Sequence, residues 1–147
     1  MRTTLVFLGL SLPLLLAGCS TPPEERLETP AARVEGLNVQ SGASTLTLRL
    51  TNPNIVPLVI NSSSHKLSLD DNPIGVIDEA NPIGLPPGGQ EVHSLKLPPK
   101  VAQAAQAYLR DHPGTVRITV KSGLSVATTA DDSITLTSIG SGLIKNP

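Results

Sequence analysis

Apolar and polar residues alternate with a period of two along most of the chain after residue 33. The clearest run is Leu46, Leu48 and Leu50, which Thr47 and Arg49 separate. Further apolar positions of the same kind are Val34, Leu37 and Val39, then Leu67 and Leu69, then Val116, Ile118 and Val120, then Leu124 and Val126, then Ile134 and Leu136. Since successive side chains of a strand point to opposite faces of a sheet, this period predicts strands with one buried face.

Turn-forming segments separate the predicted strands. They are Ser41-Gly42, Asn52-Pro53-Asn54, Asp70-Asp71-Asn72-Pro73, Pro86-Pro87-Gly88-Gly89, Ser122-Gly123 and Asp131-Asp132-Ser133. Many short strands with regularly spaced turns predict an all-β sandwich or barrel. One strand is irregular, because Val92 and Leu95 would point to opposite faces of a regular strand. We therefore expect a β-bulge near His93 and Ser94.

A single helix is predicted between Pro98-Pro99 and His112-Pro113-Gly114. Its apolar residues are Val101, Ala104, Ala105, Tyr108 and Leu109, at helical spacing. A helix of about a dozen residues is marginal in water, so this stripe should pack against the sheets, at one end of a sandwich.

The first nineteen residues have the form of an export signal. The apolar run from Leu5 to Leu16 is short for a bilayer span, which needs about 20 residues. Leu16-Ala17-Gly18-Cys19 resembles the bacterial lipoprotein signal, which implies cleavage between Gly18 and Cys19 and acylation of Cys19. An ordinary secretory signal and an uncleaved anchor remain alternatives. In that resemblance Ser20 permits transfer to the outer membrane, whereas Asp would not.

The chain divides into a signal peptide at residues 1–18, an acylated cysteine with a flexible tether at 19–32, and one domain at 33–147. The segment from Ser20 to Ala32 is rich in Pro, Glu and Thr and has one isolated leucine, a composition that does not bury enough apolar surface to order itself. The alternative is that part of this segment docks on the domain as an edge strand.

Composition excludes several classes of function. The formal net charge is −1, and no basic run is present, so nucleic acid is not an expected partner. Cys19 is the sole cysteine. After acylation no thiol would remain for a disulfide, a metal or catalysis.

No residue pattern predicts a catalytic, cofactor or metal site. Ser125 falls one residue short of a nucleophile elbow and lies in an alternating run, so we interpret it as a strand position. His65, His93 and His112 have no paired spacing that would suit a metal. Asp70-Asp71-Asn72 and Asp131-Asp132 lack the alternation of a calcium loop and are interpreted as turns. The repeated tetrapeptides Asn72-Pro73-Ile74-Gly75 and Asn81-Pro82-Ile83-Gly84 are interpreted as two similar turns, with a paired ligand loop as the alternative.

Several motifs resemble those of a known family. They are Val34-Glu35-Gly36-Leu37-Asn38-Val39, the strand Leu46 to Thr51 with Asn52-Pro53-Asn54, then Pro57-Leu58, Leu67-Ser68-Leu69, Gly75 and Leu85-Pro86-Pro87-Gly88-Gly89. Together they resemble the late embryogenesis abundant (LEA) type 2 family, also called the water stress and hypersensitive response (WHy) domain. Locally, Pro53 forces Asn52 into an extended conformation and Asn54 can bond its own backbone, so the triplet should end a strand without any ligand.

The resemblance implies a fibronectin-like or immunoglobulin-like antiparallel β-sandwich of about seven strands with one short α-helix. It also implies a role in tolerance of desiccation or other stress, with no catalytic residues and no cofactor. The sequence thus predicts a non-enzymatic lipoprotein of the bacterial envelope, anchored in the outer membrane and facing the periplasm. An adaptor that binds another envelope protein through a strand edge is the alternative, and a hydrolase ranks last.

Overall fold

The computed structural model describes residues 27–40, 43–128 and 132–146. Within these ranges the chain forms eight strands and one helix. They are β1 (Ala31–Asn38), β2 (Thr45–Thr51), β3 (Leu58–Leu69), β4 (Asn72–Glu79), β5 (Ile83–Leu85), β6 (Gln90–Lys96), α1 (Pro99–Asp111), β7 (Gly114–Ala127) and β8 (Ser133–Asn146). The predicted all-β class with one short helix is confirmed, with the three-residue β5 beyond the seven strands expected.

Two antiparallel sheets form a sandwich. One sheet has the order β1-β2-β6, and the other has the order β4-β3-β7-β8 with β5 paired to the start of β3. The first copy of the repeated tetrapeptide is the beginning of β4 and is therefore not a turn, whereas the second copy leads into β5. β4 and β5 share one edge of β3. Proline is tolerated near the start of a strand. Pro73 is the second residue of β4, and Pro82 directly precedes β5.

The core between the sheets is aliphatic and consists of two clusters. The larger cluster, at the α1 end, includes Leu46, Leu69, Leu95 and Ile118, and the smaller cluster, at the opposite end, includes Leu50, Ile60, Leu85 and Leu124. The predicted alternation in β2 is confirmed, because Leu46, Leu48 and Leu50 are all buried. Ile134 differs from the expectation, because it is 40% exposed near the start of β8, a terminal strand of its sheet.

The helix packs where the sequence predicts it, except that Ala104 of the predicted stripe is exposed and Ala102 packs on the core instead. Val101 and Ala105 are buried against the larger cluster. A Cβ atom on Gly75 of β4 would stand 2.6 Å from Cγ2 of Val101, so this glycine is what lets the helix lie against the strand. The helix ends at Asp111, and the Asn146 amide donates to the carbonyl oxygens of Leu109 and His112.

Two further local expectations are wrong. The pairing of β6 with β2 is uninterrupted, so there is no bulge near His93 and Ser94. Val92 simply points outward, 49% exposed and opposite Arg49, because a single apolar residue is tolerated on an exposed sheet face. Ser122-Gly123 is not a turn either, since β7 runs through it.

The end of the predicted tether lies on the sandwich. β1 begins at Ala31 and pairs with β2, and Leu27 packs on the smaller cluster. For residues 27–32 the structure therefore shows the alternative that the composition left open, docking of part of the segment as an edge strand. Leu27 gives this short stretch an apolar side chain to bury.

Candidate functional site

Asn52 is the centre of a buried hydrogen-bond network at the end of β2. Its side chain is fully buried, and its Nδ2 donates to the carbonyl oxygens of Val56, Leu85 and Pro86 at 2.9, 3.2 and 3.1 Å. Its Oδ1 accepts from the backbone N–H of Asn54 at 2.9 Å. The side chain thus ties the loop after β2 to the loop after β5. We expected Asn54 to make the local backbone bond, but Asn52 makes it.

Asn54 instead holds the segment that leads into β1. Its Oδ1 accepts from the N–H of Glu28 at 2.7 Å, and its Nδ2 donates to the carbonyl oxygen of Glu28 at 2.9 Å. This pairing imitates one step of a β-ladder. Pro53, between the two asparagines, is exposed and donates no backbone hydrogen bond. The triplet Asn52-Pro53-Asn54 therefore fixes the place where the N-terminal segment meets the sandwich.

A polar layer, defined as Ser63, His65 and Ser122, separates the two apolar clusters. Nε2 of His65 lies 2.8 Å from Oγ of Ser63, and Nδ1 lies 2.8 Å from Oγ of Ser122. A neutral ring donates from one nitrogen and accepts at the other, so it satisfies both hydroxyl groups. Burial, and to a smaller extent the nearby His93, lowers the pKa of His65 to about 4, although Asp78 and Glu79 oppose the shift.

His93 faces this layer from β6. Its Nε2 is buried and has no hydrogen-bond partner among the described residues. β4 and β6 are terminal strands of their sheets and lie on the same side of the sandwich. His93 therefore lies on the side opposite the close contact between β1 and β8.

The other sequence candidates lie apart from one another. Ser125 lies within β7, as the alternation predicts, and it pairs with Ser62 and Thr135 rather than with a histidine. His112 follows α1, where its ring stacks on Tyr108 with centroids 4.0 Å apart. Asp70 and Asp71 both have positive φ and form the two-residue turn between β3 and β4, which confirms that interpretation.

Asp70 also accepts hydrogen bonds from neighbouring elements, so its place in the turn is explained without an ion. Its Oδ1 accepts from the N–H of Arg117, and its Oδ2 accepts from the hydroxyl of Tyr108. Asp131, Gly18 and Cys19 lie outside the described residues. In the ranges that the structure describes, no group of three or more His, Cys, Asp or Glu side chains is arranged to hold a metal, and no helix is long and apolar enough to cross a membrane.

The outer faces of the two sheets differ in their charges. On the three-stranded sheet, Arg49 bonds Glu35 at 2.8 Å and Gln90 at 3.0 Å. The hydrogen bond from Arg49 lowers the pKa of Glu35. On the five-stranded sheet, Lys66 and Lys121 are register partners on β3 and β7 and are both exposed. Sequence reasoning missed this lysine pair, because only the strand register brings the two residues together.

The comparisons with known proteins decide the family. The family model for the late embryogenesis abundant protein LEA_2 matches residues 47–139, which is more than half of the chain. The chain belongs to the LEA type 2 family. No curated protein matches the sequence.

Solved structures resemble this LEA type 2 domain in fold. A solution structure from Arabidopsis thaliana is similar with 16% identity and a TM-score of 0.52, over 82% of this chain and 82% of that one. A crystal structure of a protein from Archaeoglobus fulgidus is similar with 13% identity and a TM-score of 0.51, over 83% of this chain and 98% of that one. A solution structure of a putative LEA protein has 17% identity and a TM-score of 0.48, over 81% and 72%.

Proposed function

We propose that this LEA type 2 protein is a non-enzymatic lipoprotein of the bacterial envelope that binds or protects envelope components under desiccation or related stress. The observation that carries the proposal is the succession of Leu16-Ala17-Gly18-Cys19 and a LEA type 2 domain in one chain. Acylation of Cys19 would hold the domain at a membrane, since several acyl chains together anchor firmly. Ser20 favours the outer membrane, with the domain facing the periplasm.

The contact between Asn54 and Glu28 supports a short connection between anchor and domain. Leu27 is the first described residue and already packs on the smaller apolar cluster. From Cys19 to Leu27 a fully extended chain spans at most about 28 Å. The end of the sandwich that carries Asn52 and Asn54 would therefore stay within that distance of the lipid.

The burial of the polar layer favours a role without catalysis. His65 is a neutral imidazole in contact with two serine hydroxyls, which is the pairing that activates a nucleophile in hydrolases. Ser63 is 6% exposed and Ser122 is fully buried, so a substrate carbonyl would not reach either oxygen. The layer satisfies its own hydrogen bonds inside the core.

The anchor is tested with Cys19→Ser in the full chain. We expect loss of acylation by mass spectrometry and loss of the mature protein from the outer-membrane fraction. Ser20→Ala is the matched control, because it keeps the cysteine. Ser20→Asp should move the protein to the inner membrane. An unmodified thiol on the native protein, with the leader still attached, would overturn the lipoprotein proposal.

The stress role is tested with a deletion strain under drying, detergent and osmotic shock. We expect sensitivity that the wild-type gene restores and the Cys19→Ser gene does not. Equal survival of the deletion and parent strains in all three conditions would contradict the protective role.

An adaptor function is the second candidate, and the free edges favour it. Among the described strands β6 pairs with β2 alone, and Val92 lies exposed on that terminal strand. An extended segment of another protein could add to this edge through backbone hydrogen bonds. Crosslinking in intact cells separates the two functions, because one stoichiometric protein partner supports the adaptor and its absence supports the protective role.

A further inference from the structure

The outer face of the five-stranded sheet carries adjacent like charges. Lys66 pairs in register with Lys121, and each lysine has an apolar neighbour on its other side, Val76 on β4 and Ile139 on β8. One row across the sheet therefore has the order Val76, Lys66, Lys121, Ile139. Val76 is 43% and Ile139 is 66% exposed.

Two further cations and a third exposed apolar residue lie farther along the same face. Arg117 of β7 pairs in register with Leu143 of β8, which is 72% exposed. Lys145 follows on β8, opposite Thr115. We call the surface formed by Lys66, Lys121, Arg117, Lys145, Val76, Ile139 and Leu143 the basic face.

The lysine pair is unfavourable within the isolated domain. Like charges directly opposite each other on a sheet are destabilising. Neither Lys66 nor Lys121 has an ion-pair partner among the described residues, and of the four cations Arg117 contacts an acid, with Asp71 at 3.6 Å. Besides Asp71, the exposed carboxylate of Asp78 shares this face, at the β4 edge. The opposite outer face shows that this protein does pair its charges elsewhere, because Arg49 there bonds Glu35.

We propose that the basic face docks on an anionic phospholipid surface. Lipid phosphates would neutralise Lys66 and Lys121 and relieve their repulsion, while Ile139 and Leu143 enter the headgroup region. Both terms act in the same direction, because juxtamembrane cations and buried apolar side chains each favour the interface. The inference rests on the proposed anchor, which would hold the face close enough to the lipid for this weak contact to form.

The test uses the full chain purified from cell membranes and reconstituted into vesicles of phosphatidylcholine with or without phosphatidylglycerol. An environment-sensitive fluorophore on Ser141→Cys, between Ile139 and Leu143 on the exposed face, reports the contact. We expect a blue-shifted emission on the anionic vesicles only, and a loss of the shift in high salt. The chain without Ser141→Cys shows whether Cys19 itself takes up the label.

The decisive variant combines Lys66→Gln with Lys121→Gln. It should lower the ratio of docked to undocked domain by roughly 25-fold on anionic vesicles. Lys96→Gln with Lys100→Gln is the matched control, since it removes the same charge elsewhere, and it should keep the blue shift. The Lys66 and Lys121 variant should unfold at the same or a higher temperature than the wild type, because the repulsion is gone.

Two results would overturn the docking proposal. One is the same emission on both kinds of vesicle, and the other is an unchanged shift in the Lys66 and Lys121 variant. Vesicle flotation separates these results from a failure of the anchor. A chain that does not float with phosphatidylcholine vesicles lacks the anchor, whereas one that floats without a shift has the anchor and lacks the docked face.

Discussion

Gly142 of β8 lies against Val34 of β1, so close that a Cβ atom on Gly142 would stand 2.7 Å from the carbonyl oxygen of Val34. Gly140 makes the same kind of approach to Ala32, at 3.0 Å. These two glycines let an edge of the three-stranded sheet lie directly on an edge of the five-stranded sheet. One long side of the sandwich is thereby closed.

Gly142→Ala should destabilise the protein by about 1–3 kcal/mol, because the new methyl group forces β1 and β8 apart. The free energy of unfolding in urea measures this. Gly84→Ala is the control, since nothing lies within 4 Å of its Cβ position. Equal stability of the two variants would show that β1 is not held against β8.

Asn52→Ala should cost about 3 kcal/mol, because it leaves one buried and three part-buried backbone groups without their side-chain partner. Asn52→Asp should cost at least as much, since a carboxylate accepts hydrogen bonds and does not donate to the carbonyl oxygens of Leu85 and Pro86. Chemical denaturation measures both variants, with the exposed Asn61→Ala as control. A rescue of stability by Asn52→Asp would contradict the assigned donor role of Nδ2.

Asn54→Ala should release the segment before β1 and leave the core intact. We expect faster amide exchange at Glu28, whose N–H bonds Asn54, and a loss of at most about 1 kcal/mol in global stability. Ile55→Ser is the control, because Ile55 is exposed in the same loop. Unchanged protection of Glu28 would mean that other contacts hold this segment.

Stability should fall in mild acid because of His65. Its pKa is about 4 in the folded protein and about 6.5 in the unfolded chain, so between these values the unfolded state binds more protons. The contribution is fully present above pH ~6.5 and is lost as the pH falls toward ~4, by at most about 3 kcal/mol. Denaturation from pH ~7 to ~5 measures the slope.

His65→Gln should flatten that slope, since glutamine does not titrate in this range, even if the variant is less stable overall. His112→Gln is the control, because His112 is exposed at the end of α1. A steep slope that persists in His65→Gln would assign the acid sensitivity to other groups.

The sequence predicted the elements whose inward positions are all aliphatic, and it divided or shortened strands that break this rule. β2 and α1 were placed correctly, because their apolar periods are uninterrupted. Ser122 interrupts the apolar alternation of β7, so Ser122-Gly123 was interpreted as a turn. Ser122 is instead a buried strand residue whose hydroxyl bonds His65. The end of β8 was missed because it contains Gly140 and Gly142. These glycines make room for β1, which is far away in the chain.

The candidate sites were predictable only in their local part. The triplet Asn52-Pro53-Asn54 was recognised as a strand terminator, but the bonds to Leu85, Pro86 and Glu28 depend on the tertiary fold. The basic face was invisible for the same reason, since a register of strands decides which charges become neighbours. Local propensity carries no information about such pairings.

The contact of Gly140 and Gly142 with β1 makes the two long sides of the sandwich mechanically unequal. β1 and β8 form the tightly packed side. β4 and β6 lie on the opposite side, where Nε2 of His93 has no hydrogen-bond partner among the described residues. Partial opening should therefore start between β4 and β6 and admit water to His65 before β1 separates from β8. A domain built in this way can loosen and reclose around its polar layer while its two sheets stay attached along β1 and β8.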